Sequence, residues 1–288
     1  ASALGVAAPG SIIRIGAGTY AENVAFSSRS NLRFVGAGVS ATQLRGPGDA
    51  FVAVTSQNIV LRNLRVASTG GRGAIAQGSS LTLDRVNTIG NRSHNVLAVA
   101  YAGNAASLVI ENSNLNQSQV GNGLRLEGDA GLALPVTATV RRSTVDGNGT
   151  VLPVAADAGR GVEAFNNSSL TIEDSSVNGN YFGGLLFTHS TAAVIRRHNI
   201  NLNGQNGIYF ELNTSADVYG NVIDNNGVRG TRGATTGFNG IEVQTNWAGP
   251  QMLIHENWIF RSTTNGVFLG AGNGVVANNY LYNNFVGV

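Results

Sequence analysis

The chain has 288 residues, of which 12% are charged, 39 are Gly and 34 are Asn, and its formal net charge is +2. That length holds one large domain or two ordinary ones, and so much Gly and Asn suits short strands joined by tight turns better than helices. All 18 basic residues are Arg, with no basic stretch interleaved with aromatics of the kind nucleic-acid binders carry; no apolar run approaches the roughly 20 residues of a membrane span, and without Cys there is no disulfide framework or thiolate site.

The first ten residues, ASALGVAAPG, are apolar and are expected to be the remnant of an N-terminal cap helix on a single domain that takes in the rest of the chain. Beyond them, short apolar pieces recur. Taking the last apolar residue of each first piece as an anchor gives Leu61, Leu83, Ile110, Val140, Ile172, Ile195, Val218, Ile254 and Val276, with the shortest spacings at 22 to 23 residues. Three positions past an anchor come Ser113, Ser143, Ser175, His198, Asn221, Asn257 and Asn279. Eight past it come Asn91, Ser118, Asn148, Asn180, Asn203, Asn226, Ser262 and Asn284, and about four later a glycine opens the next run: Gly123, Gly161, Gly184, Gly207, Gly240 and Gly266. A period of this length that keeps environment and not identity marks a solenoid. Period-2 alternation, Asn/Gly turns and the lack of any amphipathic helical stretch make each unit one coil of an all-β parallel β-helix, about ten to eleven coils in all. Coils stack about 4.8 Å apart, so equivalent residues touch, and small polar residues inside a turn satisfy amides that burial would otherwise leave unpaired.

The opening stretches IIRIGAGTYAENVAF and NLRFVGAGVSATQLRG resemble the first coils of pectinesterases, with Gly18, Tyr20, Glu22, Val24, Asn31, Leu32, Phe34, Gly36, Gly38, Thr42 and Leu44 in matching places. Over residues 11–288 the chain is similar to the right-handed parallel β-helix superfamily of pectate lyases, polygalacturonases and pectinesterases. The resemblance implies a right-handed solenoid. It implies none of those activities, because the D-F-I-F-G and G-R-x-W segments and the catalytic Asp clusters are missing.

In those relatives the strand after each glycine floors the substrate groove. Alternation sends Leu124, Val162, Leu185, Ile208, Ile241 and Val267 inward and leaves Arg125, Glu163, Leu186, Tyr209, Glu242 and Phe268 facing out. A second outward column reads Glu127, Phe165, Thr188, Glu211 and Gln244. Ring faces suit sugar C–H surfaces and carboxylates suit hydroxyls, so Tyr209, Arg125, Glu127, Phe165, Gln244, Phe268 and the nearby Trp247 are candidates for binding a polysaccharide. Glu211 and Glu242 fall on adjacent coils roughly 8 Å apart by strand and coil spacing, within the range of inverting glycosidases; with Glu163 they are the candidate catalytic acids. Longer loops at 149–160, 227–238, 127–135 and 245–250 are expected to wall a cleft over Glu163, Leu186, Tyr209 and Glu211. For a β-elimination, Tyr209 and Arg125 are the candidate bases on this face.

Next to the anchors, charge alternates between coils: Arg141 and Arg142, then Glu173 and Asp174, then Arg196 and Arg197. Stacked, these form an external ion-pair column. His94, His189, His198 and His255 lack second ligands at metal spacing, so neither metal nor cofactor is expected. The C-terminal NNYLYNNFVGV stops on an apolar strand, read as an open coil that a continuing chain or a second copy would cover end to end. Two functions follow. One is a secreted or cell-surface protein that binds an extended polysaccharide along one sheet face, with cleavage an open question; the other is a non-catalytic structural or adhesive surface protein that assembles through its open ends.

Overall fold

A four- to six-residue apolar alternation followed by a residue that turns a corner produces a short strand, and repeating the unit stacks the strands in register. The computed structural model describes residues 2–150, 158–189, 191–227, 237–244, 252–270 and 274–287. Apart from a short helix, Ser2–Val6, the elements there are strands, gathered into parallel sheets of thirteen, ten and four. The first sheet climbs in eleven rows from Ile12–Ile15 to Gly274–Ala277, with Gly18–Tyr20 and Thr42–Gly46 beside it. The second climbs in ten from Val24–Ser27 to Val267–Leu269. The third holds Asn199–Asn201, Val222–Asp224, Trp258–Phe260 and Tyr280–Tyr282. Each coil visits the second sheet, then the first, then the corner that becomes the third, and the count of coils agrees with the sequence period.

The inner faces share one core. Of the nine anchors, all but Val276 are fully buried, and Val276 packs against the same cluster. Phe187 and Phe210 stack within it at 5.2 Å between ring centroids.

Both polar rows point inward as ladders. Asn148, Asn180, Asn203 and Asn226 are at most 1% exposed; each of the first three donates its side-chain amide to the amide oxygen one coil further on at 2.9 Å, and Asn226 donates to Ile200 O at 2.9 Å. The other row runs through backbone donors: Ser113 N to Ser143, Ser143 N to Ser175, Ser175 N to His198 Nδ1, and His198 N to Asn221. What the sequence conceals is the corner that aims these rungs. The residue just before a rung has positive φ, at Asn112, Arg142, Asp174, Arg197 and Glu256 before one row and at Gln117, Leu202, Asn225 and Arg261 before the other. A left-handed conformation costs a residue with a Cβ about 1–2 kcal/mol, offset here by the hydrogen bonds of the rung that follows.

The charge column forms as expected. Glu111, Arg141, Glu173, Arg196, Tyr219 and His255 lie in register on the outer face of the first sheet. Glu173 is 5% exposed and takes Arg141, Arg196 Nε at 2.6 Å and Arg197 Nη2 at 3.1 Å. Burial pushes its carboxyl up, but Arg196 and Arg141 overcome that and hold it below the usual carboxylate range. Most of this column is in water, where such pairs add little beyond fixing register.

Candidate functional site

The site is built on the second sheet, whose strands place one outward residue per coil. Arg125, Glu163, Leu186, Tyr209, Glu242 and Phe268 pair directly in that order, and Glu127, Phe165 and Thr188 form the column beside them. Their inward neighbours Leu124, Val162, Leu185, Ile208, Ile241 and Val267 are at most 1% exposed. The outer face divides into two clusters.

The first is a closed network around Glu163, which is only 6% exposed. Its Oε2 accepts Arg125 Nη1 at 2.8 Å and Asn122 Nδ2 at 2.8 Å, and Arg160 Nη1 lies 3.8 Å from its Oε1. Arg125 also approaches Glu127 at 3.7 Å and covers the Phe165 ring at 4.6 Å. Beneath sits His94, whose Nδ1 accepts the Asn122 N–H at 3.0 Å. Burial, and then the positive charge of Arg125 and Arg72, lowers its pKa to about 4. A folded pKa below the unfolded value of about 6.5 means the unfolded chain binds the extra proton first, so stability falls as pH drops from about 6.5 to 4. The loss should amount to about 3 kcal/mol. In His94→Asn, whose Oδ1 can take the Asn122 N–H, thermal melts across that window should lose this component; an unchanged profile would place the titration elsewhere.

The second cluster is open. Tyr209, half-buried, donates its hydroxyl to Gln244 Oε1. Burial and the neighbouring Glu211 and Glu242 carboxylates push the phenol well above its ordinary pKa, so it serves as a donor and not as a base. Glu242 Oε2 accepts Asn206 Nδ2 at 2.9 Å and Asn239 Nδ2 at 2.8 Å. Leu186, Tyr209 and Glu242 floor a cleft of about 260 Å³ whose walls include Arg160, Gln205 and Phe238.

Tyr209 thus meets Glu211, Glu242 and Gln244, whereas Arg125, Glu127, Glu163 and Phe165 form the separate network, and Phe268, 38% exposed, caps the column beyond Glu242. Of the loops expected to wall the cleft, Arg160 and Phe238 contribute from the two insertions; residues 151–157, 228–236 and 245–250, including Trp247, lie outside the described residues. The sequence reading missed His94, Asn122, Arg160, Asn206 and Asn239. All stand immediately before the column glycines or the equivalent Asn95, a fixed place in the coil that is visible in the sequence. Among the described residues no group of three or more His, Asp or Glu is placed to hold a metal ion, and no helix is long and apolar enough to cross a membrane.

Solved structures share this architecture at low identity. The A-module of the mannuronan C-5 epimerase AlgE4 from Azotobacter vinelandii superposes with a TM-score of 0.60 at 14% identity, covering 96% of this chain and 88% of its own. Pectate lyase Pel9A gives 0.54 at 13% identity, covering 96% and 72%. The Dettilon tailspike protein gives 0.57 at 11% identity over 94% of this chain, which spans 61% of the tailspike's length. A search of curated proteins finds no match. The sequence model of the right-handed beta helix region matches residues 122–288, more than half the chain, and with the coils just described it makes this protein a member of the right-handed β-helix family.

Proposed function

We propose that this protein binds an extended polysaccharide across the outer face of the second sheet, outside the cell or on its surface. The observation that carries the reading is the cleft at Tyr209, where a ring face lies between carboxylates and amides that are already oriented. A sugar ring laid on Tyr209 would find Glu211, Gln244 and Glu242 as hydroxyl acceptors, and Leu186 would meet its C–H surface. The structural neighbours support it to the extent that their names place an epimerase of mannuronan, a pectate lyase and a tailspike on the same fold.

Retention of the glycan without cleavage is the reading we favour. A two-carboxylate mechanism needs one group protonated as acid. Glu163 is held by a guanidinium and an amide, and Glu242 receives two amide donors, so both are fixed as acceptors. Glu211, whose carboxylate lies against the Tyr209 hydroxyl, is the remaining carboxylate to test.

In a glycan-array measurement Tyr209→Ala should weaken binding about tenfold, the loss of one stacking platform worth about 1.4 kcal/mol, and Glu242→Gln less. A reducing-end assay on the captured glycans should show no turnover; release of new ends, abolished in Glu211→Gln, would make the protein a hydrolase. Unchanged binding in Glu163→Gln, Glu211→Gln and Tyr209→Ala alike would remove this face from consideration.

A further inference from the structure

A second groove, of about 510 Å³, opens on the outer face of the first sheet over the N-terminal coils. It is lined by four arginines contributed by four successive rows. Arg14, Val35, Arg62 and Asp84 pair in one column, Ile12, Arg33, Val60 and Thr82 in the next, and Arg85 stands at the following corner. Arg14 and Arg62 are two coils apart, about 10 Å, with Arg33 staggered between them.

The charges do not cancel. Asp84 is shared between Arg62 at 3.0 Å and Arg85 at 3.4 Å, and Glu111 is approached by Arg142 at 3.7 Å. Among the described residues Arg14 and Arg33 make no ion pair, and both are exposed. Arg72, Arg125, Arg141, Arg196, Arg197 and Arg261 each face a carboxylate of a neighbouring coil, while Arg29, Arg45, Arg65 and Arg92, also without an ion pair among the described residues, do not line this groove. Planar guanidinium forks left open along one line suit repeated carboxylate or sulfate groups. The floor between them is aliphatic, with Ile12 51% exposed beside Val35 and Val60, and no aromatic ring lines it. A single-stranded nucleic acid would call for ring platforms for its bases, whereas a sugar chain needs C–H contact between its anions.

We propose that this groove is a binding site for an acidic polysaccharide, whose anionic groups are held by Arg14, Arg33 and Arg62. The site is on a different sheet from the Tyr209 cleft, and neither proposal rests on the other.

The test titrates the intact chain with polygalacturonate, dextran sulfate, uncharged dextran and a single-stranded oligonucleotide at low and raised salt. Polygalacturonate or dextran sulfate should bind, whichever is tighter naming the anion. Affinity should fall at least tenfold in an Arg14→Ala/Arg33→Ala double variant and with added salt, and keep its value in Arg261→Ala, an exposed arginine already paired with Asp224. Both arginines are exposed, so an unchanged circular dichroism spectrum shows that the double variant folds. Equal affinity of the double variant, equal binding of uncharged dextran, an oligonucleotide that binds as tightly as the glycans, or no binding of either anionic polymer would each overturn the assignment.

Discussion

Asn203→Leu is expected to lower the stability of the central coils by about 3 kcal/mol, far beyond the effect of removing an exposed charge from the same coil. The side chain is fully buried and sits at a junction. Its Oδ1 accepts both the backbone N–H of Asn180 at 3.1 Å and the Asn180 amide at 2.9 Å, while its own amide donates to Val177 O at 3.0 Å and Asn226 Oδ1 at 2.9 Å. Leucine fills the volume and supplies none of these. Each buried group left without a partner costs about 1–3 kcal/mol, and partial relaxation brings the sum down to the figure given. Arg196→Ala should leave the melting temperature nearly unchanged, because that guanidinium is only half-buried and Arg141 and Arg197 remain on Glu173 when it is removed. Solenoid coils can open piecewise, so native-state hydrogen exchange is the measurement to pair with the melt. Equal effects of the two substitutions would mean that the asparagine row does not support the interior.

Gly207→Ala should be at least as damaging, for a steric reason. The backbone there is not left-handed; the obstacle is the next coil. A Cβ would lie 2.6 Å from the carbonyl oxygen of Gly240, 2.9 Å from Asn226 Nδ2 and 3.0 Å from Ile223 Cγ2. Two of those contacts belong to the stacked backbone and its ladder and cannot rotate away. The same encounter recurs at Gly184, where a Cβ would meet Gly207 O at 2.5 Å. Forcing a methyl group between coils should cost about 3 kcal/mol and lower the melting temperature by several degrees. Gly5→Ala, which meets nothing within 4 Å, should have no effect. If both substitutions are silent, the coils are further apart than described.

Much of this architecture was open to reading because a solenoid turns sequence distance into spatial contact at a fixed interval. The anchors from Leu61 to Ile254, the two polar rows and the Arg125-to-Phe268 column each needed only a count. Two kinds of feature resisted. Contacts that cross columns did: Glu163 reads as a groove carboxylate, yet Asn122 and Arg160 reach it from outside its own strand and close it off. Features sparse along the chain did as well. Arg14, Arg33, Arg62 and Arg85 are separated by 19 to 29 residues, each in unremarkable surroundings, and read as a scattered excess of charge until four rows are laid side by side. Corner conformation was invisible for a related reason. Arg142, Asp174 and Arg197 look like surface charges, and nothing in their identity announces positive φ; the rung that follows imposes it.

The side-chain-to-side-chain bonds of the asparagine rungs all run the same way, from Asn148 to Asn180 to Asn203 to Asn226 and, in the parallel row, from Asn221 to Asn257 to Asn279. Aligned amide dipoles polarise one another, so the interior is a one-way conductor of polarity with a distinct head and tail. Damage should therefore travel unevenly. Losing an acceptor strands the donors of the preceding coil, whereas the following coil forfeits a proton it can recover from water or backbone, and amide exchange around a broken rung should quicken first on the N-terminal side.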